Sequence, residues 1–123
     1  MLSGTVTSNK EAAIRVWLSG PNGQPETVDA IIDTGFNGFL TLPKQLITSL
    51  MLPFVGTTRA ALGDGKDVPM DVFEATVRWD EQERNVLILA AEGVVLVGMS
   101  MLSGYRVTID VEEGGLVRIE ALS

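Results

Sequence analysis

Residues 30–43 read AIIDTGFNGFLTLP, an apolar run that stops at an acid, turns over two glycines and becomes apolar again. Ala30-Ile-Ile32 brings Asp33 to the end of a buried strand, where a carboxylate is costly to desolvate, and Thr34 and Gly35 follow it. Two readings compete. In the first, Asp33 is turn chemistry, because Asp bonds its own backbone and Gly tolerates unusual angles. In the second it is a placed reactive acid. The tripeptide alone favours the turn, and its surroundings must decide.

Upstream, Glu11-Ala-Ala-Ile-Arg-Val-Trp-Leu18 alternates with period two, placing Ile14, Val16 and Leu18 on one face and Arg15 and Trp17 on the other. Ser19-Gly-Pro-Asn-Gly23 is a cluster of turn formers, and Thr27 to Ile32 resumes an extended run, so the pair predicts a hairpin that ends at Asp33. Downstream, Phe39-Leu-Thr-Leu42 is a short strand, and Pro43 opens a short helix over Lys44 to Leu50. Thr57 to Leu62, a Gly63-Asp-Gly-Lys66 turn and a long arm from Val68 to Trp79 predict a second hairpin with a glycine-hinged tip. Val86 to Ala90 is apolar enough to be buried on both faces, and Val94 to Val97 follows as its expected partner in a core strand pair. Met99 to Leu102 has room for one helical turn closed by Gly104, and Tyr105–Ile109 with Leu116–Ile119 make a last hairpin across Glu113-Gly-Gly115. Short strands at this spacing predict one mostly β domain over 1–123, a closed barrel or a sandwich with two small helices.

Composition removes several chemistries. With 123 residues the chain supports one hydrophobic core, and at 46% hydrophobic and 20% charged residues it reads as globular. Without cysteine there is no disulfide, thiolate metal site or thiol nucleophile. Without histidine there is no Ser-His-Asp triad, and a zinc site would rest on carboxylates alone. Acid–base work falls to Asp, Glu, Lys or Tyr105. A formal charge of −7 with scattered basic residues argues against nucleic acid as a partner. No apolar run is long enough for a membrane helix. The opening MLSGTVTSNK lacks the features of a secretory signal, so a cytoplasmic location is expected.

A second apolar-apolar-apolar-Gly element, Val95-Leu-Val-Gly98, follows Asp33 some sixty residues later with a short helix after it. Together, Ile31-Ile-Asp-Thr-Gly35, Phe39-Leu-Thr-Leu-Pro43, Leu62-Gly-Asp-Gly-Lys66 and Leu96-Val-Gly-Met-Ser-Met-Leu102, in this order and spacing, resemble the retropepsin-like aspartic proteases, and within them the small single-domain microbial members. The resemblance covers nearly the whole chain. It implies a closed barrel of acid-protease type with a flap hairpin, and a homodimeric aspartic endopeptidase that needs no cofactor or metal. Two Asp carboxylates would share one proton and activate a water. Only one Asp-Thr-Gly is present, so a dyad requires two chains, each giving Asp33 across a two-fold axis. By the same resemblance Thr34 bonds across the axis and Gly35 admits substrate backbone. Phe36, Asn37 and Gly38, the flap-tip residues Leu62, Gly63, Asp64 and Gly65, and Val97 with Gly98 are expected to contact the peptide substrate.

Departures mark where the carry-over stops. Viral members follow the Asp-Thr-Gly with Ala and Asp and place an Arg after the later Gly, forming an ion pair that braces the dimer; here those positions are Phe36, Asn37 and Met99. The brace is absent, and Phe36 is expected to narrow or reshape the central subsite. The flap tip carries charged Asp64 and Lys66. The alternative reading is a retropepsin-fold dimeric peptide-binding or dimerisation module without turnover, since fold does not dictate function.

Overall fold

The structure is a computed structural model that describes residues 1–22, 24–62 and 66–123. In chain order the elements are β1 (Leu2–Val6), β2 (Ala12–Ser19), β3 (Glu26–Ile32), β4 (Leu40–Leu42), α1 (Lys44–Ser49), β5 (Phe54–Leu62), β6 (Lys66–Trp79), β7 (Gln82–Ala90), β8 (Val95–Val97), α2 (Met99–Leu102), β9 (Tyr105–Ile109) and β10 (Leu116–Ala121). The strands form one sheet in the order β5-β6-β7-β4-β8-β3-β2-β1-β10-β9, and an extra β6–β2 pairing closes six of them into a barrel. The mostly β, closed barrel with two short helices is therefore what the chain forms.

Closure depends on the length of β6. Its first half pairs with β5 as a projecting hairpin, and its second half pairs with β7 on one side and with β2 on the other through Trp17↔Arg78, Leu18↔Val77 and Ser19↔Thr76. Arg78 lies over the Trp17 ring at 4.4 Å, a cation–π contact on the outer face of this seam. β2 follows the predicted alternation: Ile14, Val16 and Leu18 are buried, Arg15 is exposed. With Leu40, Leu42, Ile88, Val97 and Ile119 they make the barrel core, where each fully buried aliphatic side chain contributes about 1.5–3 kcal/mol.

Two expectations are corrected. β7 and β8 do not pair with each other, because β4 lies between them, parallel to β7 and antiparallel to β8. Nor is β7 buried on both faces: Val86 and Ile88 enter the core while Leu87 is 45% exposed. A further strand, β1, for which the sequence pattern held no expectation, is held between β2 and β10. The short helix is as expected except that Pro43 is its N-cap in extended conformation. A proline cap has no side chain to accept the first N–H groups, and Glu92 supplies an oxygen to the Lys44 N–H at 2.9 Å instead. Among the described residues no helix is long and apolar enough to cross a membrane.

Candidate active site

β3 and β8 run parallel and in register, Ala30↔Val95, Ile31↔Leu96 and Ile32↔Val97, so both strands end at one level. The Asp33 N–H donates to the Val97 carbonyl at 2.9 Å, extending the ladder one residue past the strand and tying the acid's backbone to a fully buried residue. The Asp33 Oδ1 then accepts the Gly35 N–H at 2.9 Å. This is the turn of the first reading, and it does not exclude the second. The turn fixes the carboxylate, and its other oxygen has no protein partner among the described residues. A Cβ on Gly35 would stand 3.2 Å from that bonded Oδ1, so a side chain there would press on the carboxylate. Asp33 is half-buried, while Thr34 and Gly35 are exposed.

The loop that follows is stitched to the start of α2. Met99 N–H donates to Phe36 O at 2.8 Å, Gly98 N–H to Phe39 O at 3.0 Å and Ser100 N–H to Gly38 O at 3.1 Å. The Ser100 hydroxyl also donates to the Asn37 carbonyl. Main-chain bonds thus hold the loop in the absence of an Arg–Asp brace. The Phe36 ring tucks beneath it, 6% exposed, against Gly38 and Gly98, so most of its bulk goes into the loop's support.

Two hollows flank the loop. An open groove of about 500 Å³ is lined by Gly35, Asn37 and Gly38 on the loop, Thr58 on β5, and the apolar Val72, Leu87 and Leu89 on β6 and β7. A second hollow of about 330 Å³ contains Asp33 and Thr34 themselves, together with Ile31, Ile32, Lys10, Glu11, Ile109 and Val111. The larger hollow thus adjoins the acid's turn, and the acid itself faces the smaller.

Of the residues singled out from sequence, Asp33 to Gly38 lie together on this one loop. Val97 is fully buried and meets the site through its carbonyl; Gly98 lies under Phe36. Gly63, Asp64 and Gly65, together with the Leu62 side chain, lie outside the described residues. The groove walls on β6 and β7 were missed, although the apolar stretch at 86–90 carried the signal: Leu87 and Leu89 are apolar yet face outward. Among the described residues no three Asp or Glu side chains converge on a possible metal position.

No family model matches the sequence, and no curated protein matches it. Solved structures do. EIAV protease in complex with the inhibitor HBY-793 superposes with a TM-score of 0.61 at 18% identity, over 77% of this chain and 88% of that one. A retropepsin-like aspartic protease from Rickettsia conorii superposes with a TM-score of 0.55 at 12% identity, over 99% and 92%. The chain has the retropepsin-like fold.

Proposed function

We propose that two copies of this chain form an aspartic endopeptidase whose catalytic pair is Asp33 from each copy. The observation that carries the reading is Asp33 itself: a half-buried carboxylate pinned through its N–H and Oδ1, with the second oxygen unpartnered among the described residues and an exposed Thr34 beside it. Support comes from the fold shared with two proteases, one of them bound to an inhibitor. An extended peptide would run from the 500 Å³ groove, with apolar side chains against Val72, Leu87 and Leu89, over Gly35 to the hollow that holds Asp33.

Two carboxylates brought within hydrogen-bond distance cannot both ionise cheaply, so the pair holds one proton. The ionised member takes a proton from a bound water as its oxygen attacks the scissile carbonyl carbon. The protonated member gives its proton to the carbonyl oxygen. The resulting gem-diol collapses, the C–N bond breaks, the amine nitrogen takes up a proton, and the pair again holds one. No acyl-enzyme forms and no metal is called for.

Asp33→Asn in both copies is expected to lower peptide cleavage by roughly 10³-fold or more, while the melting temperature and dimer content stay near wild type. A diverse peptide library incubated with demonstrably dimeric protein from acidic to neutral pH supplies the assay. No cleavage, or cleavage that survives Asp33→Asn, sinks the reading.

A further inference from the structure

Among the described residues the sheet has two open edges, β5 and β9. β5 carries a register break between Phe54 and Gly56 and borders the groove on the far side of the loop. β9 has no break, no proline and no glycine, and its last residue, Ile109, lines the hollow that holds Asp33. Natural edge strands are usually blunted by such devices; the one charge on β9, Arg106, stands opposite Glu120 of β10.

The ladder fixes which main-chain groups are free. Asp110 N–H donates to Leu116 O and Leu122 N–H to Gly104 O, flanking a register of Thr108↔Arg118 and Arg106↔Glu120. Hydrogen-bonded pairs alternate along an antiparallel ladder, so Arg106 and Thr108 use their N–H and C=O on β10. Tyr105, Val107 and Ile109 direct theirs outward, and their side chains pack toward the core. A strand with this pattern is self-complementary. Turned about a two-fold axis at Val107, it sets Tyr105 against Ile109, Val107 against Val107 and Ile109 against Tyr105, all hydrogen-bonded pairs with about six inter-chain bonds. A register shifted to either side loses a pair. On the solvent face Arg106 meets Thr108 of the second copy, so no like charges stand directly opposite.

We infer that β9 is the seam through which a second copy of this chain docks, the two β9 edges pairing antiparallel so that the sheet runs on from one copy into the other beside the Asp33 hollows. This rests on the two-copy reading of the site, which supplies the reason for a self-pairing edge at this place. The terminal strands are not available for the purpose, because β1 is already paired on both sides within its own chain.

The test is the dissociation constant of the dimer by sedimentation equilibrium on the full chain, with cleavage measured on the same samples. Val107→Pro removes an outward N–H and leaves the ladder to β10 intact, though it also trims a core-facing side chain; it is expected to weaken dimerisation about tenfold or more with the sheet's circular dichroism retained. Thr108 faces solvent and offers a pair that leaves the core untouched. Thr108→Lys sets a cation against Arg106 of the second copy twice over and weakens the dimer several-fold, whereas Thr108→Glu tightens it several-fold; thermal unfolding at monomer concentrations separates each variant's effect on the chain itself. Wild type that stays monomeric at about 100 μM, or folded variants whose dissociation constants do not move in these opposite directions, overturn the seam. A dimer that cleaves but ignores these substitutions leaves the protease reading standing on another interface. A β9-dependent dimer that never cleaves keeps the seam and removes the protease.

Discussion

A Cβ on Gly98 would lie 2.3 Å from the Gly38 carbonyl oxygen and 2.7 Å from that of Phe36, as well as 2.6 Å from the Phe36 ring. A Cβ on Gly38 would meet only the ring, at 2.6 and 2.7 Å. Neither glycine has a positive φ, so both requirements are steric. The difference decides what trimming Phe36 accomplishes. Gly98→Ala is expected to cost about 1–3 kcal/mol as overpacking against fixed backbone, and Phe36→Leu brings no relief because the carbonyls remain. Gly38→Ala also destabilises, but Phe36→Leu offsets part of it, a coupling of about 0.5–3 kcal/mol. Urea unfolding of the single and double variants gives both cycles. Equal coupling in the two would show that the ring, and not the loop's carbonyls, dictates the glycine at 98. Asp33 and Gly98 were both legible as punctuation after apolar runs; that they punctuate adjacent parallel strands, one resting on the other's carbonyl, was not.

β4 is three residues long and wholly buried, and it meets β8 only at Leu40↔Val97. The Thr41 hydroxyl fills the gap by accepting the Leu96 N–H at 2.9 Å. Thr41, 1% exposed, is the one buried polar residue among those described. Replacing it with the isosteric Val leaves that N–H without an acceptor and is expected to cost about 1–3 kcal/mol, whereas Thr41→Ser keeps the bond and loses a methyl, about 1 kcal/mol. A urea midpoint for Thr41→Val at or above that of Thr41→Ser would show that the hydroxyl does not complete the ladder. Such a residue looks like ordinary strand composition in the sequence. β2 was readable because a half-buried strand alternates. β1 was not, since Leu2-Ser-Gly-Thr-Val6 is too polar to signal burial, and its Gly4 answers a tertiary demand: a Cβ there would meet the Ala13 carbonyl oxygen at 1.9 Å. β7 misled in the opposite sense, its outward leucines serving a groove that the apolar pattern alone reads as core. Ile109 and Val111 reach the Asp33 hollow only because β10 lies beside β1, a neighbour relation that no local pattern contains.

Both β1 and β10 are paired on both sides within one chain, so in the proposed two-copy enzyme folding and dimerisation are separable events, and the proposed activity depends on the second. Each copy carries a formal charge of −7, and two like-charged bodies repel over the Debye length, about 30 Å at 0.01 M salt and about 8 Å at 0.15 M. Added salt is therefore expected to tighten the proposed dimer, in the direction opposite to an association held by complementary charge. At a chain concentration below the dissociation constant, cleavage per chain is expected to rise with salt over this range and to rise in proportion to total chain, because the active species forms by mass action. The same dependence gives an internal control. Asp33→Asn chains mixed in equal amount with wild type, at saturating concentration and after exchange, leave about a quarter of the dimers with two carboxylates, so activity per wild-type chain falls to about half. Activity per wild-type chain that is indifferent to dilution, salt and the inactive partner would mean that one Asp33 suffices, and the two-copy site would have to be given up.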